Sequence, residues 1–166
     1  MIVLDTNVLS GLMEPEDSKV VAWLDNQPPE SIWTTAVNIF EIRFGLALLP
    51  SGRRKRQLSD AFAKVLDEDL EGRILPFDNE AAVEAANRAA DRRAIGKPLD
   101  FRDIEIAGIV ASRRATLATR NVRHFRDLGI ELVDPWARRW SESELPCDRW
   151  AVQSPHPRLR RDLSLN

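Results

Sequence analysis

Residues 1–13 read MIVLDTNVLSGLM, and the fold turns on how this stretch is read. Met1–Leu4 is a short apolar run of the kind that forms a fully buried strand. Asp5-Thr6-Asn7 breaks it, and a helix-period pattern follows at once. Asp5 therefore falls at the carboxyl end of a buried strand, where open α/β sheets hold their ligands. A second role fits the same place, because Asp5 or Thr6 can cap the helix by accepting from a free backbone N–H. These residues alone allow both.

Outward from that stretch, short apolar runs alternate with longer helix-period segments. This is the pattern of an α/β domain with a mainly parallel sheet. Strands are expected at Ile2–Asp5, Ser31–Thr34, Arg73–Pro76, Thr116–Ala118 and Glu131–Val133. Helices are expected at Thr6–Met13, Ser18–Asn26, Ala36–Leu49, Arg53–Glu71, Asn79–Ala94 and Phe101–Arg113, with a short one over Val122–Leu128. Pro28-Pro29, Pro50-Ser51-Gly52 and Gly96-Lys97-Pro98 punctuate them as loops. After Pro135-Trp136 the periodicity fades, and Ala137–Asn166 holds three of the ten prolines. That segment is expected to be an appendage, loosely ordered or docked through Trp140 and Trp150.

The 166 residues suit one domain with a real core, and 43% hydrophobic with 30% charged residues is a globular composition. A net charge of -2 gives no overall basic signature, so any nucleic-acid contact must come from local patches. One cysteine excludes an intramolecular disulfide framework and a Cys-rich zinc site, and two histidines argue against a His cage. Candidate metal ligands are therefore oxygens, which suit magnesium or manganese. No apolar run approaches a membrane span, and Asp5 stands where a signal peptide needs a basic patch. A soluble, cytoplasmic protein is expected.

Three carboxylates stand out by position. In TTAVNIFEIRFGLALL, Glu41 has Val37 and Gly45 one turn away, so it interrupts an apolar or small-residue row. Gly45 costs the helix about 1 kcal/mol relative to Ala, which suggests close approach by another element. In DFRDIEIAGIVA, Asp100 is a candidate N-cap and Asp103 falls in the first turn, on the face of Ile106, Ala107 and Val110. The helix dipole explains an acid there but not its alignment with the buried stripe. Glu105 points elsewhere and is expected at the surface. In TLATRNVRHF a strand again ends in small polar residues, with Asn121 either capping the next helix or facing the acids as a neutral oxygen ligand. A parallel sheet with right-handed crossovers gathers these termini on one edge, so Asp5, Glu41, Asp103 and Asn121 are expected to converge. Clustered carboxylates repel, and a divalent cation relieves that repulsion.

The motifs LDTNVLS, T…EIRFG, DFRDIEIAGIVA and LATRNVRHF…GIELVDPW, in this order, resemble a PIN domain over residues 1–136. More narrowly they resemble the VapC/FitB ribonuclease toxins of bacterial type II toxin–antitoxin systems. The resemblance implies a three-layer α/β/α sandwich around a mainly parallel five-stranded sheet. It also implies Mg2+ or Mn2+ dependence and hydrolysis of RNA phosphodiester bonds. Its acidic quartet carries over to Asp5, Glu41 and Asp103, with Asn121 where many relatives have Asp. Asp5 and Asp103 are then the metal ligands, direct or through water. Glu41 positions or deprotonates the attacking water, Asn121 orients it, and Thr6 and Thr119 support the shell. Arg120, Arg123 and Arg126 are candidate RNA contacts at the same edge, and Arg53–Arg56 form a second basic cluster. The implied partners are RNA, a small DNA-binding antitoxin and a second copy in a homodimer. The competing reading is a catalytically weak PIN domain that binds RNA or a partner. A receiver domain is discounted because SIWTT lacks an acceptor Asp and TLATR lacks a Lys. A haloacid-type hydrolase is discounted because Asn7 stands where it needs a second Asp.

Overall fold

The computed structural model describes residues 1–14, 18–97 and 100–137. Strand β1 (Ile2–Leu4) lies at the centre of a five-stranded sheet of order β3-β2-β1-β4-β5, with β2 Ile32–Thr35, β3 Ile74–Leu75, β4 Thr116–Ala118 and β5 Glu131–Val133. Every pairing is parallel, so the mainly parallel expectation is met in full. Val3 pairs with Trp33 on one side and Leu117 on the other, and Leu4 pairs with Ala118.

Helices α1 (Thr6–Met13), α2 (Ser18–Asp25), α3 (Ala36–Leu48) and α4 (Arg53–Lys64) join the first three strands. Helices α5 (Asn79–Ala94) and α6 (Phe101–Ser112) carry the chain from β3 across to β4, and α7 (Val122–Phe125) leads to β5. Alternate strand residues feed two separate cores, as the pleat requires. Val3 and Leu117 pack with Ile106, Ile109 and Phe125 on one face. Leu4 and Ala118 pack with Leu9, Leu24 and Phe62 on the other. These are the three α/β/α layers.

Three local expectations change. Ser31 closes a 3-10 turn (Pro29–Ser31), and β2 runs on to Thr35, whose hydroxyl caps α3 at the Asn38 N–H. The helix expected over Arg53–Glu71 is α-helical only to Lys64 and finishes as a π turn over Val65–Asp69. The glycine that marks a close approach is Gly108, not Gly45. A Cβ at Gly45 would meet nothing within 4 Å, whereas one at Gly108 would lie 2.4 Å from the Ala81 carbonyl oxygen. Gly108 thus lets α6 seat against Ala81 and Ala85 of α5, which sets where Asp103 sits. The appendage expected over residues 137–166, with Trp140 and Trp150, lies outside the described residues except for Ala137. Among the described residues no helix is long and apolar enough to cross a membrane.

Candidate active site

The strand order reverses direction at β1, which has β2 on one side and β4 on the other. Ligands bind at such a switch point, beyond the carboxyl ends of the strands. Asp5 follows β1 there and is 6% exposed. Its backbone N–H bonds the Ala118 carbonyl at 3.0 Å, so the end of β1 is fixed to the end of β4.

Four donors surround the Asp5 carboxylate. Oδ1 accepts from the Thr6 backbone N–H at 2.8 Å and from Asn38 Nδ2 at 3.2 Å. Oδ2 accepts from Asn7 Nδ2 at 2.7 Å and from the Thr119 hydroxyl at 2.6 Å. Capping and site chemistry are therefore not alternatives, since one carboxylate starts α1 and anchors the site. Thr119 is fully buried, and its oxygen also accepts from the Asn121 backbone N–H at 3.0 Å. The Thr6 hydroxyl donates a hydrogen bond to Glu41 Oε2 at 2.5 Å.

The other members of the quartet surround this centre without collapsing onto it. Glu41 Oε1 faces the Arg102 guanidinium at 3.4 Å. Asp103 Oδ2 faces His124 Nδ1 at 3.4 Å. Asn121 does not cap α7 with its side chain, and its Nδ2 lies 2.7 Å from the same His124 nitrogen. Asn121 thus reaches Asp103 through His124 and Asp5 through Thr119. Among the described residues no three His, Cys, Asp or Glu side chains are close enough to share one metal ion as placed.

Burial pushes the Asp5 carboxyl above its ordinary range, against the hydrogen bonds from Thr119 and Thr6, and the Asp103 charge adds to the rise. Burial also raises Asp103, opposed by His124 and reinforced by Asp100 and Glu41. Asp100 behaves oppositely, because Arg102 bonds it and holds it low. The site therefore carries two carboxylates whose charge the protein does not fully compensate.

A family model for the PIN domain matches residues 2–131. The chain belongs to the PIN-domain family. Over 137 residues this PIN domain is 36% identical to VapC ribonuclease Y4jK of Sinorhizobium fredii, covering 82% of this chain and 98% of that protein. It is 34% identical to Toxin FitB of Neisseria gonorrhoeae over 137 residues, with 82% and 99% covered. Two solved structures are similar at 33% identity. FitAB bound to an IR36 DNA fragment has a TM-score of 0.75 over 84% of this chain and 99% of that one. FitAcB from Neisseria gonorrhoeae has a TM-score of 0.71 over 82% and 99%.

PIN nucleases imply a divalent cation, and the donor set here fits one. Every side-chain atom of the quartet that can ligate is an oxygen, as a hard cation requires. Asp5 and Asp103 repel one another through buried, under-compensated charge, which a cation would relieve. Two carboxylates with retained water suit a magnesium-type ion, so the lack of a three-acid cage is no obstacle.

Four residues around the PIN site escaped the sequence reading as parts of it. Asn7, in the sequence part of the strand-to-helix break and of the LDTNVLS motif, carries no site role there, yet it donates to Asp5. Asn38, fully buried, lies one turn before Glu41 and bonds both Asp5 and Thr6. An Asn within the apolar run AVNIF was the available signal. His124 falls one turn after Asn121, and Arg102 adjoins Asp103, but sequence spacing alone did not reveal their partners. Of the expected RNA contacts, Arg120, Arg123 and Arg126 are all exposed, and Arg120 lies over the Trp136 ring at 5.4 Å. In the other basic cluster, Lys55 bonds the Ala47 and Leu49 carbonyls at the end of α3. Glu105 is half-buried rather than fully at the surface.

Proposed function

We propose that this PIN domain is a Mg2+- or Mn2+-dependent ribonuclease and the toxin of a type II toxin–antitoxin pair. The observation that carries the reading is the pair of acids, Asp5 and Asp103, kept under-compensated by burial at the switch point of the sheet. The relatives named VapC ribonuclease and Toxin FitB support the substrate and the biological role. Residues 1–136 are the nuclease unit in this reading.

Asp5 and Asp103 would hold the cation, which when bound would supply acidification of water and offset charge on the phosphoryl oxygens. Four donors fix the plane of the Asp5 carboxylate and take up its acceptor sites, so Asp5 would act on the cation through a water or after one donor gives way. Glu41, oriented by the Thr6 hydroxyl, takes the proton as water oxygen attacks phosphorus and the P–O bond to the ribose opens. Asn121, with His124 beside it, orients that water. Thr119 sets the Asp5 carboxylate in its plane. Arg120, Arg123 and Arg126 guide the RNA backbone toward the edge.

Two surfaces support the partner assignments. Phe40 and Phe44 on α3 are exposed and stacked at 5.8 Å, and Leu48 continues the stripe one turn on. This face is assigned to a second copy of the chain, and light scattering should show Phe44→Glu shifting dimer to monomer. An open groove of about 330 Å³ between α3 and α4 has an apolar floor including Leu46 and Phe62 and a cationic rim of Arg43 and Lys55. It suits an acidic amphipathic segment of the antitoxin.

Cleavage of an RNA panel in Mg2+ or Mn2+, abolished by chelator, tests the central reading. Activity undiminished in chelator overturns it. RNA binding without cleavage supports instead the weak-nuclease reading, which Asn121 in place of an acid favours.

A further inference from the structure

Arg102 is the one described arginine with an ion pair to a quartet acid, and the way it is held points to a use. Asp100 clamps it from one side: Nε donates to Oδ1 at 2.9 Å and Nη2 to Oδ2 at 3.2 Å. Asp100 is itself fixed as the N-cap of α6, accepting from the Arg102 backbone N–H at 2.9 Å. This two-point grip sets the plane of the guanidinium and takes up only part of its five donors. The third nitrogen, Nη1, faces Glu41 Oε1 at 3.4 Å. Charge-assisted hydrogen bonds are shorter, about 2.7–2.9 Å. Nη1 is therefore aimed at the water-activating acid without being tightly bonded to it. The side chain is 44% exposed, so that edge opens to solvent beside the site.

A phosphodiester entering this site meets three acids, and a cation would be held by two of them, Asp5 and Asp103. Arg102 approaches from the Glu41 side with a planar donor edge matched to phosphate oxygens. We propose that Arg102 contacts the substrate, binding a phosphate of the RNA backbone through Nη1 while Asp100 holds its plane. The inference rests on the ribonuclease reading for the identity of the ligand. Arg102 pairs with Asp100 and Glu41 and forms no ion pair with Asp5 or Asp103, so removing it should alter the pull of those two acids on a cation only modestly.

The test measures cleavage and binding of a short unpaired RNA by the full chain. Arg102→Ala should raise KM about tenfold or more, in line with loss of a charged hydrogen bond. Its kcat should stay within about threefold, because the group binds ground and transition states alike. The slope of log affinity against log salt should fall by about 0.7, one phosphate contact on a single strand. Arg102→Lys should restore part of the affinity, and Asp100→Asn should raise KM more mildly. Calorimetric Mn2+ affinity should change less than about threefold in each variant, since none removes a ligand.

An unchanged KM and salt slope in Arg102→Ala overturn the inference while leaving the nuclease reading intact. A large shift in Mn2+ affinity also overturns it, since Arg102 would then act through the acids. Loss of partner-protein binding with RNA binding unaltered does the same and makes the contact a protein one. If wild type binds RNA in Ca2+ without cleaving it in any metal, the nuclease reading fails, and Arg102→Ala still decides the inference by its salt slope. A wild type that binds no RNA overturns both.

Discussion

The Thr119 hydroxyl donates to Asp5 Oδ2 at 2.6 Å, joining residues 114 positions apart in the chain. Both follow central strands of the sheet, so the bond inherits the register in which Leu4 pairs with Ala118. The position of the Asp5 carboxylate is thus set by the sheet and not by a loop. Thr119→Val leaves that carboxylate one donor short. Metal affinity and RNA cleavage should fall about 10- to 100-fold, as for other residues that orient a ligand. Asp5→Ala should remove cleavage altogether while circular dichroism keeps its α/β signature. Full activity in Asp5→Ala would discard the assigned site.

Stability should depend on pH in a direction fixed by the two raised acids. Asp5 and Asp103 titrate above 3.8 in the folded chain and near 3.8 in the unfolded one. Between those values the folded state keeps protons that the unfolded state has lost. Stability of the metal-free chain therefore falls as pH rises through that window and stays lower at neutral pH. Lowering the pH from 7 toward the window should raise the contribution of these groups, and Asp103→Asn should raise the metal-free Tm at pH 7. Mn2+ should stabilise the wild type at pH 7 and lose its effect in acid, where protons compete for the ligands. Scanning fluorimetry across pH checks this, and an Asp103→Asn chain no more stable than wild type would count against it.

Much of this was legible in the sequence because it depends on local pattern. Ile2–Leu4 ending at Asp5 and Thr116–Ala118 ending at Thr119 announced the two strand ends. Asp103, aligned with Ile106 and Val110, announced a helix facing the same edge. What could not be read depends on contacts between elements. Asn38 is one such residue, since the groups its amide nitrogen bonds, on Asp5 and Thr6, come from the end of β1 and the start of α1. Arg102 and His124 are joined to the site by Glu41 and Asp103 respectively, each on another helix, and cannot be paired with them from spacing. The sequence points to Gly45 because only that residue's own helix can be read from it, while the surface that crowds Gly108 belongs to α5.

That last contrast gives a stability prediction. Gly45→Ala adds a methyl group where nothing lies within 4 Å and removes the helix penalty of glycine. It should stabilise the chain by about 0.8–1 kcal/mol. Gly108→Ala places the same methyl 2.4 Å from the Ala81 carbonyl oxygen and 2.7 Å from the Ala85 Cβ. The α5–α6 pair must part, costing about 1–3 kcal/mol in spite of the better helix propensity. Denaturant unfolding of the two variants should move in opposite directions. A Gly108→Ala chain as stable as wild type would show that α6 is not seated through this contact.

The acids also predict how a partner silences the enzyme. A partner guanidinium entering the site would find Glu41 already facing Arg102, so its remaining targets are Asp5 and Asp103. These are the carboxylates assigned to the cation, and a bidentate Arg–carboxylate pair satisfies the charge that burial leaves under-compensated. Inhibition should therefore be competitive with Mn2+. Raising the metal concentration should restore cleavage in the complex, and the partner's Arg→Ala variant should bind yet fail to inhibit. Expressed alone, the chain should slow growth, and co-expression with the adjacent small protein should relieve it. Asp103→Asn should lower affinity for the Arg-bearing partner and leave affinity for its Arg→Ala variant unchanged, which calorimetry on the purified pair will read. Equal losses for both partners would mean that Asp103 acts through the fold, and the electrostatic account of silencing would then be wrong.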